Sequence, residues 1–359
     1  RLARLEIQLI LDELREKQSE AARIENILGS RTELVKRVRT ELEELRTLYA
    51  NDRRTVIGDH EHDLSFDEDA YIVREDAWVV VTREGWIKRQ TSWSDVGKIR
   101  VREGDEPAWI IRCSTASTLT IFGSSGAAFV LRVDAIPATT GHGEPLSRQF
   151  SREDGDRVVG VVSHDPRNRI QPDPGVPPGE EGEPPGPWGV ALSEGGRVLR
   201  FPLATHEEIS TRNGRRYARV EPGDAVFAVY ACGGAEHACI ATRQGRAAVF
   251  PVMEIGVLKA PGKGVTGIKL REDDRVMAFD LARAKADGIT VITALGREVV
   301  VSPGERGFQD TPRGGRGKVV LQRGTIDTWV RSGPVIIGDR HSDGIGDRTS
   351  DSAPPTSED

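Results

Sequence analysis

Two amphipathic segments open the chain. In residues 1–28, apolar side chains recur at alternating three- and four-residue intervals: Ile7, Ile10, Leu14, Ala21, Ile24 and Leu28. Gly29 is a suitable helix stop, and Ser30 with Glu33 forms a capping-box pattern before a second stripe that runs to about Ala50. Because both stripes are narrow and the remaining positions are charged, the pattern predicts an antiparallel coiled-coil arm. A helix packed on a globular body is the alternative.

From residue 70 onward, short β-rich runs replace the helical period. Five of them turn at a glycine and continue into another β-rich run, often beside a basic residue: Gly85, Gly126, Gly196, Gly245 and Gly296. The intervals between these glycines are 41, 70, 49 and 51 residues. A period of about 40–50 residues with several strands per unit is typical of a propeller-like array.

The composition divides the chain further. Residues 1–57 form the helical segment, the acidic residues 58–69 a linker, and residues 70–338 the β domain. A Pro/Gly-rich insertion at 165–187 explains the long interval, and we expect it to be a disordered spacer. The acidic tail, 339–359, is expected to be disordered as well. The chain starts in mid-helix, so we expect it to be a fragment of a longer protein.

The net charge of −6 conceals an uneven distribution of charge. Residues 171–187 carry four acidic residues and no basic one, and the tail carries six acidic residues and two arginines. These two segments contribute −8, which leaves +2 for the rest of the chain. A body of this charge can still present a basic face to nucleic acid.

The sequence offers no convincing catalytic or metal site. The three cysteines form no CxxC pair, the seven histidines are scattered, and no apolar run is long enough to span a bilayer. His60 and His62 flank Glu61, but they lie in an acidic segment and are interpreted as a solvated loop. No GxSxG nucleophile elbow occurs, and Gly262-Lys263-Gly264 is not followed by a helix. We therefore expect neither a metal nor a cofactor in this chain.

The basic residues near the repeated turns are more informative. In a ring of small sheets, equivalent loops fall on one edge, where arginine and lysine form a track for evenly spaced phosphates. Bending a duplex around such an edge costs several kcal/mol, which ionic contacts must offset. The candidate DNA contacts are Lys88, Arg89, Arg132, Arg197, Arg200, Arg243, Arg246, Lys259, Lys263, Arg297, Arg313, Arg316 and Lys318. A solvated surface charge is the alternative interpretation for each one singly.

Three stretches occur in the order found in one known family. They are RLARLE at residues 1–6, ILGS followed by NDRRT within 27–55, and GRAAVFP followed by GKGVTGIKL within 245–270. With them the chain resembles the C-terminal part of the A subunit of bacterial type IIA topoisomerases, DNA gyrase and topoisomerase IV. The resemblance covers nearly the whole chain up to about residue 337.

The resemblance implies a mainly β fold, the β-pinwheel, with an α-helical coiled-coil arm segment before it. A β-pinwheel is a circular array of four-stranded blades that binds double-stranded DNA on its outer edge. We expect five blades, with a sixth possible. The resemblance also implies a homodimer of A subunits that joins the ATPase B subunit in a cytoplasmic, nucleoid-associated heterotetramer. ATP and Mg²⁺ then belong to the complete enzyme with its partner B subunit, and the nucleophilic tyrosine lies upstream of this chain.

One departure from the family concerns the first blade. Gyrases carry a Gln-Arg-Arg-Gly-Gly-Lys-Gly box there, whereas this chain has TSWSDVGK at residues 91–98. The nearest match, RGGRG at 313–317, falls in the fifth repeat. Relaxation and decatenation of DNA are therefore favoured over negative supercoiling. Two other classes remain open: a protein-interaction propeller on a coiled-coil stalk, and a hydrolase built on a propeller.

Overall fold

A computed structural model describes residues 2–50, 72–176, 183–305, 308, 311–331 and 333–338. The chain divides into a helical unit, Arg1–Phe66, and a β unit, Asp67–Asp359. The predicted linker 58–69 and tail 339–359 lie outside the described residues.

The helical unit contains the two helices that the periodicity predicts. They are α1 (Leu2–Gly29) and α2 (Arg31–Tyr49). The Ser30 hydroxyl caps α2 by accepting a hydrogen bond from the Glu33 N–H at 3.4 Å, as the capping box predicts. The apolar stripe of α2 stays exposed, however, and none of its side chains is buried. The two helices touch each other but do not bury the seam expected of a coiled coil.

The β unit is built on five hairpins, one for each predicted turn glycine. These hairpins are β1 (Asp76–Thr82) with β2 (Trp86–Gln90), β4 (Thr118–Gly123) with β5 (Ala127–Arg132), β8 (Trp188–Ser193) with β9 (Arg197–Pro202), β12 (His237–Thr242) with β13 (Arg246–Pro251), and β16 (Ile289–Thr293) with β17 (Glu298–Val301). All five turn glycines have φ between 74° and 87°, a left-handed conformation that favours glycine.

A third strand completes the inner side of each sheet. These inner strands are β3 (Pro107–Ser114), β7 (Val158–Ser163), β11 (Val226–Cys232), β15 (Val276–Ala282) and β19 (Ile326–Val330). Each pairs with the first strand of its hairpin, and neighbouring inner strands contact one another from one sheet to the next. The five sheets among the described residues confirm the mainly β, pinwheel-like fold.

The outermost strand of four sheets comes from the following repeat. These short strands are β6 (Glu144–Pro145), β10 (Arg215–Arg216), β14 (Val265–Thr266) and β18 (Lys318–Val319), which pair with β2, β5, β9 and β13. Each repeat therefore contributes three strands to its own sheet, and the second to fifth repeats each contribute one more to the preceding sheet. These exchanged strands connect neighbouring blades.

A second set of repeated glycines makes this exchange possible. Gly143, Gly214, Gly264 and Gly317 precede the exchanged strands, with φ between 65° and 86°. A Cβ at any of them would lie under 3.0 Å from a carbonyl oxygen of the hairpin that it approaches. Only glycine allows the exchanged strand to come this close.

The turn glycines also hold the exchanged segment by their carbonyl groups. The Gly126 carbonyl accepts hydrogen bonds from the N–H groups of Tyr217 and Ala218, and the Gly196 carbonyl accepts them from Gly267 and Ile268. The Gly85 and Gly245 carbonyls accept equivalent bonds in their blades. Each turn therefore fixes both its own hairpin and the arriving strand.

A final strand links the last repeat to the first sheet. Strand β20 (Val335–Ile337) pairs in parallel with β3, so that the first sheet has five strands. Ile336 packs beside the buried Val80 and Ile110. The parallel pairing of β20 with β3 closes the series of sheets, because it joins the end of the last repeat to the first blade.

The described parts of the 165–187 insertion are ordered, contrary to the expected disorder. Asp165 is 1% exposed and binds both the Ser114 N–H and the Arg167 guanidinium. The Asp173 N–H donates to the Gly233 carbonyl, and Val176 packs against the third and fourth blades. The insertion is therefore a packed connection over these residues rather than a free spacer.

Candidate nucleic-acid interface

We call the loop that contains an exchanged strand an exchanged segment. Three of the four exchanged segments are strongly basic. Residues 209–219, 259–271 and 312–323 each contain four arginines or lysines and no acidic residue. They contain strands β10, β14 and β18, and so lie on the outer edges of the second, third and fourth sheets. We refer to these three segments together as the basic ribbon.

Backbone hydrogen bonds join the three segments end to end. The Arg219 N–H donates to the Gly262 carbonyl at 2.9 Å, which links the first segment to the second. The Lys269 N–H donates to the Gly315 carbonyl at 2.8 Å, and the Gly314 N–H donates to the Gly267 carbonyl at 2.8 Å. The basic ribbon is thus one continuous surface along three neighbouring sheets.

Most of the charges on the basic ribbon face solvent. Ten of its twelve basic side chains are exposed, namely Arg212, Arg216, Arg219, Lys259, Lys263, Lys269, Arg271, Arg316, Lys318 and Arg323. A few have acidic neighbours: Arg216 pairs with Glu153 at 3.0 Å, and Lys263 pairs with Glu221 at 3.1 Å. The Lys263 ammonium lowers the pKa of Glu221, so this carboxylate remains charged beside the ribbon. Surface pairs of this kind are weak and exchange readily for phosphate.

The first exchanged segment has a different character. Residues 138–148 contain one acidic residue, Glu144, and one basic residue, Arg148, which pair with each other. The outer edge of the first sheet therefore carries no excess of positive charge. The positive surface is an arc over the second to fourth sheets and does not continue over the first.

Five of the thirteen predicted contacts lie on the basic ribbon: Lys259, Lys263, Arg313, Arg316 and Lys318. Of these, Arg313 is partly buried, and its guanidinium donates to the Thr266 carbonyl at 3.3 Å. The RGGRG match at 313–317 leads into β18, which is part of the fourth sheet rather than the fifth. The match therefore belongs to the fifth repeat of the sequence but lies on the fourth blade of the structure. Its assignment to the fifth blade was wrong.

Six other predicted contacts lie on the hairpins. Arg243 and Arg297 are exposed at the turns, and Arg246 donates to the Arg316 and Gly317 carbonyls of the basic ribbon. The remaining three are partly buried on or beside hairpin strands: Arg89, Arg132 and Arg197. Arg246 therefore stabilises the ribbon by these hydrogen bonds to its backbone, while Arg243 and Arg297 lie at hairpin turns outside the ribbon.

Lys88 and Arg200 lie inside the fold, which removes them from the set of exposed contacts. Lys88 is 2% exposed, and its ammonium donates to the carbonyls of Arg100 and Gly141. Arg200 is 1% exposed, stacks on the Trp188 ring at 4.8 Å and lies 3.8 Å from Glu183. Burial lowers the pKa of both side chains. The positions of Lys88 and Arg200, three and four residues after a turn glycine, do not predict from the sequence that these side chains point inward.

Seven ribbon residues were missed from the sequence: Arg212, Arg215, Arg216, Arg219, Lys269, Arg271 and Arg323. The prediction concentrated on the hairpin turns, whereas the outer edge is formed by the exchanged segments. The second set of repeated glycines, each followed by a short strand, was the available signal. These glycines identify the outer edge of each of the first four sheets, provided that the strand after each of them is known to pair with the preceding sheet.

The described residues offer no metal site or membrane span. No group of three or more His, Cys, Asp or Glu side chains among them could hold a metal ion. Within the same residues, no helix is long and apolar enough to cross a membrane.

The fold and its repeats define the class of the molecule. A family model described as the DNA gyrase C-terminal domain, beta-propeller, matches residues 118–165, 190–232 and 236–283. The C-terminal domain of DNA topoisomerase IV aligns over 75% of this chain and 79% of its own length, with a TM-score of 0.60 and 18% identity. The E. coli ParC C-terminal domain aligns over 72% of this chain and all of its own length, with a TM-score of 0.56 and 18% identity. The β unit is therefore a β-pinwheel of this class.

Whole-sequence relatives agree with this class. The A subunit of DNA gyrase from Aminobacterium colombiense is 28% identical over 78% of this chain and 33% of its own length. The A subunit of DNA topoisomerase 4 from Bacillus subtilis is 23% identical over 90% of this chain and 38% of its own length. Most of the chain is thus similar to the C-terminal part of gyrase A and topoisomerase IV A subunits, and three of its repeats match the model of the gyrase C-terminal domain. It spans about a third of the length of these relatives.

Proposed function

We propose that this chain binds duplex DNA along the basic ribbon and guides it for a type IIA topoisomerase. The observation that carries the proposal is the continuity of the ribbon: twelve basic residues and no acidic one lie on three segments joined by backbone hydrogen bonds. Phosphates occur at regular intervals along a duplex, so such a surface binds DNA without reading its sequence. Glycines in the ribbon leave room for the phosphate backbone to approach.

Two triple variants with equal charge removal test this proposal. The ribbon variant combines Arg219→Ala, Lys269→Ala and Arg316→Ala, and the control combines Lys98→Ala, Arg100→Ala and Arg148→Ala on the first blade. All six side chains are exposed. Three lost phosphate contacts should reduce the slope of log K against log salt by about 2.7, since each contributes about 0.9. The control should leave the slope unchanged, because it lies outside the arc.

The measurement is the affinity for a duplex of random sequence at several salt concentrations. Equal losses in both variants would show that DNA contacts the whole edge and that the arc is not the binding surface. Unchanged binding in the ribbon variant would refute the proposed site.

We further propose that the complete enzyme relaxes and decatenates DNA rather than introducing negative supercoils. The support is the first blade, which lacks the gyrase box and has no excess positive charge on its outer edge. A duplex held over three sheets is oriented but not wrapped in a full turn. Relaxed circular DNA bound by the chain and treated with a nicking-closing enzyme should keep its linking number, and a salt-sensitive shift would favour gyrase-like wrapping.

The proposed partners lie outside this chain. We propose that the full-length protein forms a homodimer and joins the ATPase B subunit in a heterotetramer located in the cytoplasm at the nucleoid. In this arrangement ATP and Mg²⁺ bind to the remaining parts of the enzyme, and this chain contributes no catalytic residue. Reconstitution of ATP-dependent decatenation from the full-length protein and its B subunit tests the assignment. The ribbon variant should reduce the activity in that assay.

A further inference from the structure

The fifth sheet differs from the other four at its outer edge. It has the order β17-β16-β19, and no described residue pairs with the outer side of β17. In the first four sheets this position is filled by an exchanged strand from the next repeat. No sixth repeat among the described residues supplies a strand for the fifth. Of the five outer sheet edges, the edge of β17 is thus the one to which no described strand is paired, whereas the other four each pair with an exchanged strand.

The fifth sheet has the same turn carbonyl that holds an exchanged strand in the other sheets, but no described backbone N–H donates to it. Gly296 has the same left-handed turn as its counterparts, with φ of 75°. Its carbonyl accepts no backbone hydrogen bond from the described residues, whereas the other four turn carbonyls each accept at least one. A Cβ at Gly296 would meet nothing within 4 Å, while at the other four turns it would meet neighbouring atoms.

The register shows which groups on β17 face outward. On β13 the N–H and the carbonyl of Val249 bond the Thr311 hydroxyl, and on β5 those of Val130 bond Ser210. Val300 occupies the equivalent position on β17, four residues after the turn glycine. The Arg297 carbonyl bonds the Thr293 N–H on the inner side. The alternation of a β-strand therefore directs the amides of Glu298 and Val300 outward.

Apolar side chains accompany this open edge. Val300 is 43% exposed, whereas Val130 is 0% and Val249 is 2% exposed at the equivalent positions. Leu295, at the tip of the turn, is 87% exposed, the highest value among the exposed large hydrophobic residues described. The other turns have Glu84, Ser125, Gly195 and Gln244 at this position. An apolar edge with unpaired backbone groups is a site for β-strand addition.

We infer that the edge of β17 binds an extended segment of another protein by β-strand addition. The molecule itself shows which chemistry fits, because four equivalent edges are filled. Each occupant enters through a left-handed glycine, adds two extended residues and then covers the turn, in three blades with a buried apolar side chain, Leu146, Tyr217 or Ile268. The partner segment accordingly has the form Gly-X-X followed within two residues by an apolar side chain. Its binding depends on backbone hydrogen bonds and apolar contact rather than on charge.

The probe for this inference is a labelled peptide with the sequence of residues 256–271, which fills the equivalent edge of the third blade, where Val257 and Leu258 pair with Arg200, the counterpart of Val300. It is added to the full chain at about 0.3 M salt, where ionic contacts are largely screened. Val300→Pro removes the outward N–H without disturbing the pairing with β16, and Val300→Thr keeps that N–H as the matched control. The proline variant should bind the peptide about tenfold more weakly than the threonine variant.

The peptide carries its own control. Replacing Gly264 by valine in the peptide should also weaken binding about tenfold, because the entering residue needs a left-handed backbone beside a carbonyl oxygen. Failure of the peptide to bind the unaltered chain, or equal binding to both Val300 variants, would overturn the inference.

Hydrogen exchange identifies the occupant. The amides of Glu298 and Val300 should exchange rapidly in the free chain and become protected when the peptide is added. If both are already protected in the free chain, a segment of the chain itself covers the edge, and the inference of an external partner is wrong.

Discussion

At the scale of single residues, the interior contains polar groups whose neighbours are set by the fold. Lys88 and Arg200 are buried cations: the Lys88 ammonium donates to two carbonyls, and the Arg200 guanidinium forms a long ion pair of 3.8 Å with Glu183. His206 is 5% exposed and lies against the rings of Phe122 and Phe201. Its Nδ1 atom has no hydrogen-bond partner. Such groups make stability sensitive to pH.

His206 should make the β unit less stable in mild acid. Burial lowers the pKa of His206 to about 4, with smaller contributions from Arg215 and His164. Between pH 6.5 and 4 the unfolded chain therefore binds more protons than the folded one, and stability falls as the pH falls. From pH 7 to pH 5 the loss from His206 is about 2 kcal/mol.

Urea unfolding at several pH values measures this dependence. His206→Phe keeps a ring of similar shape without the titrating group, so it should flatten the pH dependence. His142→Gln is the control, because His142 is exposed. An equally steep dependence in the His206→Phe variant would show that other groups cause the acid sensitivity.

At the scale of elements, each repeat is a hairpin with an inner strand and an exchanged strand. Aspartates fasten the turns: Asp156, Asp224 and Asp274 accept hydrogen bonds at 2.8–2.9 Å from the N–H of the residue before each turn glycine. Asp105 makes a longer bond of the same kind at 3.3 Å. A short carboxylate side chain thus links the loop before each inner strand to the hairpin turn of the same blade.

Removal of one of these carboxylates should destabilise a single turn. Asp224→Ala leaves the N–H groups of Gly195 and Ala225 without their acceptor, which should lower the free energy of unfolding by about 1–3 kcal/mol. Asp154→Ala is the control, since Asp154 is exposed, and it should change stability by less than about 0.5 kcal/mol. Denaturant midpoints compare the two variants, and equal midpoints would contradict the role of the carboxylate.

Gly264→Ala should have a larger effect than an alanine elsewhere in the same loop. At Gly264 the backbone has φ of 72°, and an added Cβ would press on the Val198 carbonyl oxygen. Displacement of β14 should reduce both thermal stability and DNA affinity, because this strand carries the middle of the basic ribbon. Gly256→Ala is the control, since a Cβ there meets nothing within 4 Å. Similar melting temperatures for the two variants would rule out a steric role for Gly264.

At the scale of the whole molecule, the strands of the β unit are always exchanged in the same direction, from a later repeat to the preceding sheet. Each of the first four sheets receives a strand from the repeat that follows it, and β20 joins the last repeat to the first sheet. The basic segments occupy the middle of this series, while the first edge is neutral and the last is open among the described residues. The proposed DNA-binding surface and the proposed strand-addition site therefore occupy different parts of the outer edge.

Removal of the acidic tail should strengthen DNA binding. Residues 339–359 carry six acidic residues and two arginines, so ending the chain at Gly338 raises its net charge by four. We expect higher DNA affinity at about 0.05 M salt and a smaller difference at about 0.3 M, where the Debye length is short. Equilibrium binding to the same duplex compares the two chains. Equal affinities at low salt would exclude competition between the tail and DNA.

The sequence by itself determined the elements and their order. Helical spacing located α1 and α2, and the five turn glycines located the five hairpins, because these signals depend on residues close together in the chain. The motifs also sufficed to find the resemblance to the A subunits of type IIA topoisomerases, to which the comparisons show similarity. About half of the ribbon was missed, because a two-residue strand such as β10 has no periodicity of its own and is defined only by its partner in another repeat.

Tertiary structure alone decided three features. It directed Lys88 and Arg200 inward, brought three distant segments into one basic ribbon, and left β17 with no outer strand from the part of the chain that the structure describes. The physical reason is the same in each case. Burial, hydrogen-bond pairing and the joining of segments depend on groups that are far apart along the chain or on different strands, whose contacts exist only after the repeats have packed against one another.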